Sequence, residues 1–519
     1  MYDYIVIGSG FGGSVAAMRL SEKGYKVLVL EMGKRWEDEE FPESNRQLSK
    51  YFWLPALGWK GIQRLSFFRR ALVLSGTGVG GGSLVYANTH YYPPDAFFEH
   101  PAWAHFKDWK AALEPHYRTA RRMLGSATNP WLHEEDELLR KTAEQMGRGG
   151  SFRPVEAGVY FGEKGEDTDP YFDGKGPKRK ACIACAGCMT GCRHNAKNTL
   201  VKNYLWFAER QGAEIISEMK AERISFNGEY YTVEAYSPFG LLASFRKKGL
   251  EPFGKCRSSA RRFKAKGIVF SAGVLGTLKL LFRQKQHYKT LPDISDKLGH
   301  SLRTNSESLC GVLSKDKKLN HGIAISSSIE ADEHTHIEVV KYADKADVMR
   351  FLATPAVGPG PARPLKWLGN IWRKPGDFYQ TLFSKKYAER SVILLVMQTL
   401  DNELKMRYGR LRGLYMDRGD KAAPPAYLET GQQFMYNYAK LADGIPENAL
   451  TEVLFNMSTT AHIIGGCPMG RDASEGVVDD RMRVFGYPNM YVLDGSIIPA
   501  NLGVNPSLTI TALAEYAMS

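Results

Sequence analysis

Residues 2–32 read Tyr2-Asp3-Tyr4-Ile5-Val6-Ile7-Gly8-Ser9-Gly10-Phe11-Gly12-Gly13-Ser14, continue through Ala16 and Leu20 to Gly24, and close on Val27-Leu28-Val29-Leu30-Glu31-Met32. An apolar strand, the spacing Gly8-x-Gly10-x-x-Gly13, a helical stretch stopped by Gly24 and a second apolar strand ending in an acid form a dinucleotide cradle. The glycines let the backbone turn sharply and approach a pyrophosphate. The helix opening near Ser14 aims unpaired N–H groups at that charge. Glu31 is placed to take ribose hydroxyls. Gly8, Gly10, Phe11, Gly12, Gly13, Glu31 and Met32 are therefore the first cofactor-contact candidates. The plain alternative, a glycine turn with no ligand, leaves the flanking strands and the terminal acid unexplained.

Outward from this stretch the chain is long. With 519 residues it exceeds what one core usually organises, so two intimately joined domains are expected. The cradle begins at residue 2, which leads to the expectation of a cytoplasmic protein with no leader ahead of it. No run of eighteen uncharged apolar residues is present, so a spanning helix is not expected, while surface attachment stays open. The net charge of +13 comes from 69 Lys and Arg against 56 Asp and Glu. It concentrates between Arg246 and Lys266, where nine basic residues lie among Gly, Ser and Phe without helical order. That pattern suits a solvated hairpin or insertion, and without a nucleic-acid-binding module no nucleic acid partner is expected.

Two segments alternate aromatics with cations: Tyr51 to Leu74, with Trp53, Trp59 and Phe67-Phe68-Arg69-Arg70, and Pro364 to Phe383, with Trp367, Trp372-Arg373-Lys374 and Phe378. They read as flaps over an apolar entrance or as a peripheral membrane contact, with ordinary core packing as the alternative. Between them, Ser75-Gly76-Thr77-Gly78-Val79-Gly80-Gly81-Gly82-Ser83-Leu84-Val85 holds five glycines within residues 76–82. Backbone this bare approaches something closely, such as phosphate or a flat ring. This run, together with the N-terminal cradle, resembles the glucose-methanol-choline (GMC) flavoprotein oxidoreductases, and Gly80 to Val85 looks particularly like the cholesterol oxidases among them.

The resemblance implies FAD, held also by Val79, Gly80, Gly81, Gly82 and Ser83. Ala221 is implied at the adenine, Ala272 in the stretch Gly267 to Gly273, and Asp494, Gly495, Asn505, Pro506 and Ser507 in the closing signature. Asn505-Pro506 opens a last helix, Ser507 to Tyr516, whose positive end suits the electron-rich carbonyl of a flavin. The implied fold class is α/β: a Rossmann-like FAD-binding domain (residues 1–90, 198–300 and 450–519) with an inserted antiparallel-sheet substrate domain (residues 91–197 and 301–449). Runs such as His321 to Ile329, His334 to Tyr342 and Val392 to Leu400 supply strands for that sheet.

Oxidation of an alcohol needs an apolar pocket, a group for the hydroxyl proton and a neighbour that orients the carbinol. His462, followed by Gly465 and Gly466, matches the histidine of that family, and Asn505 matches its partner. Glu338 aligns with the cholesterol oxidase glutamate that moves a ring double bond; an exposed strand acid is the alternative, because Glu307, Glu330 and Glu333 are near in sequence. The implied activity is oxidation of a sterol-like apolar alcohol to the ketone, with isomerisation open. Long-chain alcohols are the second substrate class, and a catalytically silent, membrane-docked flavoprotein is the reading from another class.

Cys182, Cys185, Cys188 and Cys192 have the spacing Cys-x-x-Cys-x-x-Cys-x-x-x-Cys, that of bacterial ferredoxins except that Arg193 stands where proline is usual. The expectation is an iron–sulfur cluster passing electrons singly to an acceptor protein or quinone. Zinc and unliganded thiols stand beside it, and a reducing compartment disfavours disulfides.

Overall fold

The computed structural model describes residues 1–163, 165, 167–239, 260–360 and 362–519. Most of the basic run from residue 246 onward, with Cys256, therefore lies outside the described residues. Its end, Arg261 to Lys266, lies on a strand with its cations mostly exposed.

The first sheet grows from the cradle. Tyr2–Ile7 pairs in parallel with Val27–Leu30 on one side and with Arg261–Phe270 on the other. Glu214–Ile216 and Met490–Val492 extend the parallel set, and Tyr231–Tyr236 and Lys220–Phe226 turn back antiparallel. Ile5, Val6, Val27 to Leu30 and Ile268 to Phe270 are all buried, because a parallel strand packed on both faces carries an unbroken apolar run rather than an alternation. The helices Phe11–Glu22 and Ser507–Met518 pack together over this sheet.

A second sheet of seven strands is antiparallel throughout, in the order Ala353–Pro355, Gly444–Ala449, Ser308–Ser314, Ser391–Gln398, Thr335–Val340, Ile325–Glu330, Arg153–Pro154. Its central strands alternate. Val392, Leu394 and Val396 pack on the helices Glu134–Gln145 and Glu429–Leu441, while Ile393 and Leu395 face the interior cavity. One face therefore forms the roof of the site and the other a separate core, as a period of two requires.

The stretch from Gly212 to Ile224 reads in the sequence as a single strand; in the structure it is two, since Glu218 takes a left-handed conformation at φ 54° and turns the chain between Glu214–Ile216 and Lys220–Phe226. The second aromatic segment folds as two short helices, Arg363–Arg373 and Pro375–Phe383. Among the described residues, no helix is long and apolar enough to cross a membrane.

Candidate active site

A cavity of about 970 Å³ runs between the two sheets. At one end stand Gly8, Gly10, Phe11, Gly12, Glu31, Met32, Ala221 and Ala272; at the other His462, Asn505 and Glu307. The helix Phe11–Glu22 begins three residues before Ser14, with Gly10 as its N-cap, so its first N–H groups open on the cavity. A side chain at Gly12 would put its Cβ 1.8 Å from the backbone carbonyl oxygen of Leu493, which is why no larger residue fits there. Gly10 has the opposite surroundings: a Cβ built on it meets nothing within 4 Å, so open space lies against its backbone.

Glu31 ends its strand as expected and is 6 % exposed. Its Oε2 accepts from Ser9 N and Oγ at 3.2 and 2.8 Å, and its Oε1 from Gly33 N at 2.8 Å. Burial raises its pKa despite these donors. The second glycine run is folded against the first: Gly80 N donates to Ser9 Oγ at 3.1 Å, and Gly81, at φ 51°, lies so close that a Cβ would stand 2.7 Å from Gly10 Cα. Gly81 and Gly82 reach the cavity wall. Gly13, Val79, Gly80 and Ser83 stand behind it, and Ser83 Oγ donates to the Gly80 carbonyl at 2.7 Å and accepts from Leu200 N at 3.1 Å. Asp494, Gly495, Pro506 and Ser507 line the wall, and Asp494 accepts from Thr277 Oγ1 at 2.5 Å and from Ser496 N at 2.9 Å.

His462 follows the short strand Ser458–Thr460, and Asn505 precedes the final helix. Glu307, just before Ser308–Ser314, accepts from Ala461 N at 2.8 Å and pairs closely with His462 Nδ1. That pairing turns His462 Nε2 toward Asn505 Nδ2 at 3.4 Å. Burial works to lower the His462 pKa, but the charge and hydrogen bond of Glu307, with Glu338 behind, raise it overall. Asn505 Oδ1 is buried without a partner.

Glu338 is fully buried and stands behind Asn505, whose Nδ2 donates to its Oε2 at 3.5 Å, rather than on the cavity wall. Sequence reasoning missed two residues. Glu307 enters the sequence reading only as an acid near Glu338, and Asn305 does not enter it, although its side chain clamps the closing loop through Gly503 N at 2.8 Å and the Val504 carbonyl at 2.9 Å. The polar run Thr304-Asn305-Ser306-Glu307-Ser308 at the mouth of an apolar strand was the available signal.

The metal readings of the cysteine segment find no support in the structure. Among the described residues, no group of three or more Cys, His, Asp or Glu side chains is arranged to hold a metal, so neither the iron–sulfur nor the zinc reading is supported. Ala184 and Ala186 both take left-handed φ values, of 60° and 51°, and Ala186 N donates to the Gly322 carbonyl at 2.8 Å. The segment is thereby tied to Gly322, just ahead of the strand Ile325–Glu330, with Cys185 exposed and Cys188 buried. Cys310 and Cys467 are isolated buried thiols.

A dinucleotide loop at one end of an apolar cavity and an acid–imidazole–amide array at the other define a flavin-dependent oxidoreductase acting on alcohols. The open space at Gly10, where the first N–H groups of the helix Phe11–Glu22 open on the cavity, fits a bound FAD. The chain belongs to the GMC oxidoreductase family and is an FAD-dependent alcohol oxidoreductase. The GMC oxidoreductase pattern matches residues 423–514, and a NAD(P)-binding Rossmann-like domain matches residues 6–36. A cholesterol oxidase of Acinetobacter baumannii is 43% identical across all of this chain and 94% of its own length, and one of Mycobacterium tuberculosis is 42% identical over 90% of its length. A long-chain-alcohol oxidase of Arabidopsis thaliana is 24% identical, with 67% of its length covered. The fold is shared with pyridoxine 4-oxidase from Mesorbium loti, at a TM-score of 0.61 and 16% identity over 99% of this chain and 98% of that one.

Proposed function

We propose that this protein oxidises the ring hydroxyl of a sterol or similarly bulky apolar alcohol to the ketone. The observation that carries the reading is the Glu307–His462–Asn505 array at the wall of a cavity large enough for a polycyclic ligand and faced by the apolar side of the second sheet. The similarity to two cholesterol oxidases along essentially their whole lengths supports the sterol over a long-chain alcohol. Bound FAD would take the hydride from the carbinol carbon. Glu307 fixes the His462 ring by holding Nδ1–H, which leaves Nε2, beside Asn505 Nδ2 at the cavity wall, to accept the hydroxyl proton; the raised pKa strengthens that acceptor. Asn505, with Oδ1 free, orients the hydroxyl, and the surrounding apolar side chains exclude water. In this reading residues 91–197 and 301–449 form the substrate side and the rest holds the cofactor. Anaerobic bleaching of the flavin by 3-hydroxysteroids, measured beside fatty alcohols, tests it: faster bleaching by fatty alcohols would overturn the sterol assignment.

Isomerisation rests on Glu338 and on the resemblance that singled it out. Glu338→Gln should then release the unconjugated ketone while oxidation continues at a reduced rate, and conjugated ketone at the unaltered rate would reject the role.

Peripheral membrane contact belongs to the same reading. Leu365, Trp372 and Phe383 are 70%, 87% and 65% exposed on the two helices of the second flap, beside exposed Arg373, Lys374 and Lys385. Arg350, whose helix Asp347–Leu352 sends Met349 and Leu352 to the cavity, donates to the Leu382 carbonyl at 3.2 Å, which ties the flap to the entrance. Apolar side chains ringed by cations suit an anionic bilayer surface. Co-sedimentation with phosphatidylserine vesicles should fall in Trp372→Ala; equal sedimentation of both proteins would remove the contact.

A further inference from the structure

Behind Asn505 lies a line of charged groups that the oxidation described above does not use. Strand pairing builds it: His336 and Glu338 are two residues apart on Thr335–Val340 and share its face, and the register with Ile325–Glu330 sets Glu330 directly across from His336. His336 Nδ1 meets Glu330 Oε1 at 2.9 Å, and His336 Nε2 meets Glu338 Oε1 at 3.3 Å. The other oxygen of Glu338 receives Asn505 Nδ2. His336 is 2% exposed and Glu338 0%, whereas the Glu330 side chain is 34% exposed and also binds Arg153 at 2.5 Å.

Every group facing the imidazole follows from this packing. On its own strand stands Glu338; across one edge stands Glu330, with Arg153 and Arg148 beyond it; across the other edge is apolar Met397; and the Tyr91 ring meets it edge-on at 4.8 Å. Burial opposes charge on His336, but the two carboxylates outweigh it and push its pKa up to about 9.

An amide has two distinguishable ends. A carboxylate accepts and does not donate, so Glu338 selects the Nδ2 end of Asn505 and leaves Oδ1 as the free, buried acceptor. We propose that His336 is a positioning residue for the oxidation: pinned between Glu330 at the rim and Glu338 at the floor, it holds Glu338 as the acceptor that fixes which end of the Asn505 amide meets the substrate hydroxyl. The inference rests on the reading of Asn505 given under the proposed function. Loss of a proton from His336 leaves a ring-nitrogen lone pair facing a carboxylate, the two repel, and Glu338 no longer holds the Asn505 amide in one orientation.

Two readouts on the FAD-loaded protein test this: the visible spectrum of the oxidised flavin, and its anaerobic rate of reduction by cholesterol, each followed from neutral pH to beyond the His336 titration. The parent should show in both an alkaline transition that reports His336, beside the step in the reduction rate that reports His462. His336→Gln should lose that transition and, at neutral pH, be reduced about tenfold more slowly with little change in the substrate concentration giving half-maximal rate. Glu330→Gln, altered at the half-exposed rim, should fold normally and move the transition to lower pH, because one of the two anions that charge His336 is gone. An alkaline transition unchanged in His336→Gln, or unmoved in Glu330→Gln, overturns the proposal. Asn505→Ala separates the two ideas: reduction at the parental rate in that variant would reject the assigned role of Asn505 itself, whereas slow reduction combined with an unshifted transition in the other two variants would reject only the part given to His336.

Discussion

The two ends of the cavity are built in contrasting ways. At the cofactor end, Gly8 to Met32 are contiguous, and their positions follow from one strand–helix–strand unit. At the reacting end, Glu307, Glu338, His462 and Asn505 come from four separate segments. The first end is held by local turn geometry and backbone contact, the second by side chains that meet after the chain has closed. Damage should therefore differ in kind, costing cofactor and fold at the first end and rate at the second.

The largest effect is expected where backbone meets backbone. Gly12→Ala puts a methyl against the Leu493 carbonyl, which has no rotamer with which to yield, so folded, yellow protein should be lost. Soluble protein with a normal flavin content from Gly12→Ala would break the comparison outright.

At the other end, His462→Ala and Asn505→Ala should leave flavin content unchanged and raise the barrier to flavin reduction by about 2 to 4 kcal/mol. Stopped-flow reduction at the parental rate in either variant would remove that residue from the chemistry. Glu307→Gln sharpens the same point with a smaller loss. Glu307 raises the His462 pKa, so its neutralisation should lower it, and the pH midpoint of reduction that reports His462 should move down, not up.

A graded effect is expected from Glu31→Ala. Ser9 and Gly33 already engage both carboxylate oxygens, so the change disturbs the turn as well as the ribose contact, and FAD should be held more weakly while reduction of the flavin that remains is unaltered. Equilibrium dialysis giving parental affinity would argue against it. The smallest effect is reserved for Cys185→Ser, since the exposed thiol joins no metal-holding group among the described residues. Flavin content and turnover should stay within about twofold, which mutational scatter at exposed sites covers, and loss of bound iron with activity would reinstate the cluster.

The contrast also explains what could be read in advance. The cradle was legible because each requirement there is local: a glycine where a Cβ has no room, an acid where a strand ends. The antiparallel roof was legible from alternation, and Ser391–Gln398 and Thr335–Val340 lie within a residue or two of the runs that announced them. The break at Glu218 was not, because a left-handed glutamate leaves no mark in hydrophobic patterning. The cysteine spacing is a different case, because spacing names candidate ligands without placing them: Ala186 N ties this segment to the Gly322 carbonyl, and among the described residues no metal-holding group forms there.

By itself the sequence determined the dinucleotide loop with its flanking strands and the strand runs of the roof, and through family resemblance it marked His462 and Asn505, since strand patterning, glycine placement and motif wording act over short separations along the chain. Tertiary structure alone decided that Glu307 rather than another acid grips His462, that Glu338 stands behind Asn505 instead of on the wall, and that His336 lies between two carboxylates. Those contacts join residues as many as 167 positions apart, and pairing at that range depends on strand register and on which face of a sheet is buried, both fixed only once the two sheets have closed over the cavity.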